Sequence, residues 1–77
     1  MLGEQIRAAR LEAGWSQEKL AEKAGISRNY VSLLELNRKS PTLEVLLSIC
    51  GALDVSAADI VSEVERAGPS GRRRRSR

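Results

Sequence analysis

The sequence predicts an all-α chain of five short helices, with a helix-turn-helix in its first half. Three observations carry this. Apolar residues recur at helical spacing through most of the chain. Runs that alternate apolar and polar residues in strand fashion are absent. Two short helical stretches are joined by a tight turn containing Gly25.

Each element follows in order. The first helix is predicted from Leu2 to Ala13, with Leu2, Ile6, Ala9 and Ala13 on one stripe, and Gly14 ends it in a left-handed conformation. Ser16 caps a second helix, QEKLAEKA, by accepting from an orphan backbone N–H. Leu20 and Ala24 line its inner side with Ala21 beside them, and Gly25 stops it. So short a helix is not stable alone and is held by packing. Ser27 caps the third helix, and Ile26 and Val31 are spaced for a hydrophobic staple across that cap. LNRKSP, residues 36–41, is a polar loop. Thr42 or Ser40 caps the fourth helix, LEVLLSICGAL, whose apolar positions are taken as Leu43, Leu46, Leu47, Cys50 and Leu53. Ser56 and Asp59 have capping-box spacing and start a fifth helix carrying Ile60, Val61 and Val64. The folded domain is expected over residues 1–66, and residues 67–77, AGPSGRRRRSR, are expected to form a flexible Arg-rich tail.

Composition narrows the function. The 77 residues allow one domain, near the lower limit for a stable core. Phe is absent and Trp and Tyr occur once each, so aliphatic residues must fill that core. The single cysteine, Cys50, cannot make an internal disulfide, which suits a reducing cytosol, and its apolar surroundings make it a small buried hydrophobe rather than a reactive thiol. His is absent, which removes the usual zinc sites and the Ser-His and Cys-His nucleophile arrangements. The carboxylates are scattered over helical segments. No metal, no cofactor and no catalytic residue is expected, so the chain is not read as an enzyme. No apolar run reaches membrane-spanning length and MLGEQIRAAR is unlike a signal peptide, so a cytoplasmic location and no membrane partner are expected.

The net charge of +3 is misleading, because five of the 13 basic residues fall in the last six positions. Residues 1–71 hold eight basic and ten acidic groups, a net of −2. Any basic surface in the folded part must therefore be local.

The third helix, SRNYVSLLE, divides on a helical wheel. Val31 and Leu34, with Tyr30 beside them, face inward. Arg28, Asn29, Ser32 and Leu33 face outward. The outward set suits base reading in a major groove: Arg donates twice to guanine, Asn pairs bidentately with adenine, Ser donates or accepts, and Leu touches a thymine methyl. Arg28 and Asn29 lie in the first turn, the end that a recognition helix uses. The same residues also occur on ordinary exposed helix surfaces.

SQEKLAEKAGISRNYVSLLELNRKSPTLEVLLSICGALDVS resembles the Xre family of helix-turn-helix regulators, which includes phage repressors and Cro. The likeness covers roughly residues 4–64 and rests on Gln17, Leu20, Ala21, Ala24, Gly25, Ile26, Val31 and Leu34. It implies a compact five-helix bundle, of the lambda repressor type, that binds double-stranded DNA as a homodimer. By the same resemblance, Gln17, Ser27, Arg28, Asn29, Ser32 and Leu33 face the groove, with Gln17 contacting a phosphate as well. Arg38, Lys39, Ser40 and Thr42 hold backbone phosphate. Arg10 and Glu35 match a structural salt bridge of some phage repressors, with phosphate binding by Arg10 as the other reading. Where many relatives have Gly after the recognition helix this chain has Leu36-Asn37-Arg38, and Asn37 tolerates the left-handed conformation the turn needs.

Ile60, Val61 and Val64 are the candidate dimer contact; the alternative is that they close the monomer core. Small single-domain members of the family include restriction–modification controller proteins, phage repressors and antitoxins. A competing reading is therefore a protein-interaction module whose Leu33 and Leu36 meet a protein partner. The arginine tail is read as a solvated end, as extra phosphate affinity, or as a segment for RNA or an acidic partner.

Overall fold

The computed structural model describes residues 1–67, which form α1 (Leu2–Glu12), α2 (Gln17–Ala24), α3 (Arg28–Glu35), α4 (Leu43–Leu53) and α5 (Ala57–Ala67). There is no strand among the described residues. The arginine run lies outside them.

Side-chain oxygens start four of the helices. Ser16 accepts from the Lys19 N–H at 3.0 Å, Ser27 from Tyr30 at 3.0 Å, Thr42 from Val45 at 3.1 Å and Ser56 from Asp59 at 3.3 Å. Thr42 rather than Ser40 is thus the cap of α4.

The C-terminal ends of α1 to α4 share a pattern of their own. Gly14, Gly25, Asn37 and Asp54 each take a positive φ, of 77°, 74°, 60° and 57°. The N–H after each one reaches back five residues: Trp15 to Arg10, Ile26 to Ala21, Arg38 to Leu33 and Val55 to Cys50. Each turn is a Schellman motif, which satisfies orphan carbonyls and reverses the chain. α1 stops at Glu12, one residue short of the sequence expectation, because Gly14 closes this motif on Arg10 and Leu11 and leaves Ala13 exposed.

α2 packs on α3 and α4, α1 on α3 and α5, and α5 also on α4. The main core gathers Ile6, Leu20, Ala21, Val31, Leu34, Ile49 and Leu53, with Trp15, Ile26, Tyr30 and Val45 at its margin. A second cluster of Leu46, Cys50 and Ile60 seals α5 to α4. Burial pushes the Cys50 thiol up from its ordinary pKa, which disfavours the thiolate.

One expectation needs correction here. The buried stripe of α4 is Leu46, Ile49, Cys50 and Leu53, so Ile49 belongs inside while Leu43 and Leu47 are 71% and 52% exposed. Ile60, one of the three candidate dimer residues, is buried against Leu46 and Cys50, which accords with the alternative that it closes the monomer core. Val61 is exposed and Val64 half-buried.

α1 meets the end of α3 closely enough to demand glycine. A Cβ on Gly3 would lie 2.5 Å from the carbonyl oxygens of both Leu34 and Glu35. The Gly3 N–H donates to Asn37 Oδ1 at 2.8 Å, and Asn37 Nδ2 donates to Glu4 at 3.0 Å. The loop that follows α3 is therefore tied to the first turn of α1. Among the described residues no single helix is long and apolar enough to cross a membrane.

Candidate nucleic-acid interface

α3 is held rigidly by its inner face and offers its outer one. Val31 and Leu34 are buried and Tyr30 packs at the core margin. Ser27, Arg28 and Asn29 are exposed, and Ser32 and Leu33 are half-buried. Ser27, Asn29, Tyr30, Leu33 and Lys39 line a shallow concavity of about 280 Å³. Within it the Lys39 ammonium stands 5.7 Å from the centre of the Tyr30 ring, a cation–π contact that holds a loop cation beside the helix.

Arg38, Lys39, Ser40 and Thr42 are exposed on the loop from α3 to α4. The loop starts from left-handed Asn37, whose side chain bonds to Gly3 and Glu4. Its end is fixed by the Thr42 cap, which engages the Thr42 hydroxyl oxygen with Val45. The loop that carries these cations is thus anchored at both ends by hydrogen bonds.

Beneath the site lies a buried ion pair. Arg10 Nε donates to Glu35 Oε2 at 2.6 Å and Arg10 Nη2 donates to Glu35 Oε1 at 3.0 Å. Arg10 Nη1 donates to the Trp15 carbonyl at 2.8 Å. The Glu35 carboxylate holds the Arg10 guanidinium above its ordinary pKa, against the opposing effect of burial. This pairing removes the one acid of α3 from any phosphate nearby. Gln17 is drawn into the same network: its Nε2 donates to Glu35 Oε1 at 3.1 Å, and the side chain is half-buried at the start of α2.

Arg28, Arg38 and Lys39 are the exposed cations on and just after α3. Glu12, Asp54, Asp59 and Glu63 line a groove between α1 and α5 together with Ala8, Ala9 and Ile60. Sequence reasoning missed two supports of the site. The Asn37 bonds to Gly3 and Glu4 span more than 30 positions, and the Gln17 bond to Glu35 spans 18. No local pattern encodes such contacts.

Residues 6–60 match the Helix-turn-helix family, HTH_3. The immunity repressor protein of Bacillus phage phi105 is 40% identical over 62 residues, which is 80% of this chain and 43% of the repressor. The transcriptional regulator SinR of Bacillus subtilis is 38% identical over 64 residues, 82% of this chain and 58% of SinR. The chain therefore spans about half the length of these curated relatives. Among solved structures, the clp gene regulator ClgR from C. glutamicum superposes with a TM-score of 0.81 at 36% identity, covering 90% of this chain and 91% of that one. A crystal structure of SinR in complex with DNA superposes with a TM-score of 0.76 at 37% identity, covering 79% and 98%.

Proposed function

This chain belongs to the Helix-turn-helix family, and we propose that it is a sequence-specific transcriptional regulator that lays α3 in the major groove of double-stranded DNA. The observation that carries the reading is the two-sided α3. Its buried face fixes the helix to the core, while Arg28 and Asn29 stand exposed in its first turn. These are the side chains whose donors and acceptors match guanine and adenine edges. Ser27, Ser32 and Leu33 complete the base-reading set, with Gln17 at the start of α2. Arg38, Lys39, Ser40 and Thr42 hold the flanking phosphates.

The exposed cations on and after α3 support the same reading. Attraction to phosphate depends on the local field, so a body of net −2 over residues 1–71 can still bind DNA through one basic face. The relatives named above are a repressor and regulators, in keeping with a binding protein rather than an enzyme. We place the chain in the cytoplasm, with its DNA target.

We further propose a homodimer, because one small module spans few base pairs and a two-fold pair reads two half-sites about 34 Å apart. With Ile60 inside the core, the contact falls to Val61, Val64 and the exposed Leu43 and Leu47.

Selection from a random DNA pool tests the reading, and a two-fold symmetric consensus is expected. On the selected duplex, Arg28→Ala and Asn29→Ala should each cost about 1–3 kcal/mol and relax specificity. Arg38→Ala and Lys39→Ala should instead weaken every sequence alike, each flattening the log–log salt dependence by about 0.9. No enrichment from the pool would sink the DNA reading and favour a protein partner at Leu33 and Leu36, the latter 63% exposed.

A further inference from the structure

Glu35 has three hydrogen bonds, and only two go to Arg10. The third comes from Gln17, whose Nε2 shares Oε1 with Arg10 Nη2. The Glu35 side chain is 2% exposed. A carboxamide facing a buried carboxylate has one acceptable orientation. Its NH₂ must point inward, since the flipped form would set an amide oxygen against a carboxylate oxygen with no proton between them. The second N–H and the oxygen of Gln17 are then left in one fixed arrangement. They sit beside the Ser16 cap, at a helix start whose free N–H groups favour an anion.

We propose that Glu35 is a positioning residue for DNA binding, acting through Gln17. Arg10 fixes the carboxylate, the carboxylate fixes the carboxamide, and the carboxamide offers its second N–H to a backbone phosphate in a single orientation. The buried pair thereby joins α1, the start of α2 and the end of α3 into one unit that sets the DNA-facing surface of α2. This inference rests on the DNA-binding reading above and adds to it a specific role for an acid that never touches DNA.

The test is a coupling measurement on the duplex selected with the parent chain. Gln17→Ala is expected to weaken binding by about tenfold, equivalent to about 1.4 kcal/mol. In an Arg10→Met/Glu35→Leu background, which replaces the pair by apolar groups, the same change is expected to weaken binding by less than about twofold. Because Gln is neutral, the salt slope should not move in either background. Equal losses in both backgrounds would overturn the proposal and leave Glu35 a purely structural group. No loss from Gln17→Ala, with Arg28→Ala still weakening binding, would also overturn it while leaving the recognition helix in place. If Arg28→Ala is silent too, the underlying DNA reading fails instead. Side-chain amide NMR of the parent protein needs no variant. One Gln17 Nε2 proton should be shifted and protected from exchange, and two protons at the shifts of a free Gln side chain, both exchanging freely, would overturn the proposal.

Discussion

Arg10 and Glu35 illustrate how much depends on a single buried charge pair. Their attraction offsets the cost of taking both groups out of water, but only while both are present. Arg10→Met alone leaves the carboxylate with Gln17 as its remaining donor. It should destabilise the fold by about 3–5 kcal/mol, whereas the double Arg10→Met/Glu35→Leu change should be close to neutral. Urea unfolding of the three proteins checks this, and equal losses in both variants would contradict it. Glu4 makes a different kind of contact, fully at the surface. The Asn37 side-chain amide, the Glu4 backbone N–H and the terminal amine together lower its pKa from 4.5 to about 2. A depressed carboxylate stabilises the folded state above its ordinary pKa, and that contribution disappears as pH falls through the folded value. The stability supplied by the tie between the first turn of α1 and the Asn37 loop should therefore fall between about pH 4.5 and 2, while the folded protein keeps the tie until pH nears 2. A two-dimensional NMR titration of the folded protein should show Glu4 and Asn37 moving together near pH 2, and Glu4→Gln should abolish the change.

The four Schellman turns decide where each helix goes, and they separate what the sequence can announce from what it cannot. Gly14 and Gly25 declare themselves, because glycine takes a positive φ without penalty. Asn37 is legible as a residue that tolerates the same conformation. Asp54 tolerates it too, but Asp is common enough in other conformations that it does not mark the turn, and nothing local fixes the rotation of α4. Leu43 and Leu47 satisfy helical spacing as well as Ile49 does, and only packing selects the buried set: the main core takes Ile49 and Leu53, and α5 takes Leu46 and Cys50. The outward face of α3 was legible because an eight-residue amphipathic helix has few ways to turn. Its supports were not, since they come from α1 and α2. Asp54→Gly should thus stabilise the protein by roughly 1 kcal/mol by removing left-handed strain. Asn37→Gly should not, because it also loses the bonds to Gly3 and Glu4. Gly3→Ala should be worse than either, about 1–3 kcal/mol, since its Cβ meets backbone carbonyls that cannot step aside. Thermal unfolding of the three variants gives the order.

Exposed Arg28, Arg38 and Lys39 lie on and after α3, an acid-lined groove runs between α1 and α5, and α4 and α5 leave apolar side chains exposed. Solvent-exposed Leu43 and Leu47 stand one turn apart on α4, and Val61 is exposed on α5. If these are the seam between two copies, Leu47→Asp with Val61→Asp should yield a folded monomer by sedimentation. That monomer should bind half-sites without cooperativity. A dimer that persists in this variant would place the seam elsewhere. Cys50 lies just inside the same region, against Leu46 and Ile60, and is the only thiol of the chain. That makes the protein its own stopwatch. Cys50 is 4% exposed and packs against Ile60, so a thiol reagent should label it as α5 opens from α4, and the labelling rate should report that opening without any introduced probe. Slower labelling at higher protein concentration would time the same event through the mouth of an assembled pair.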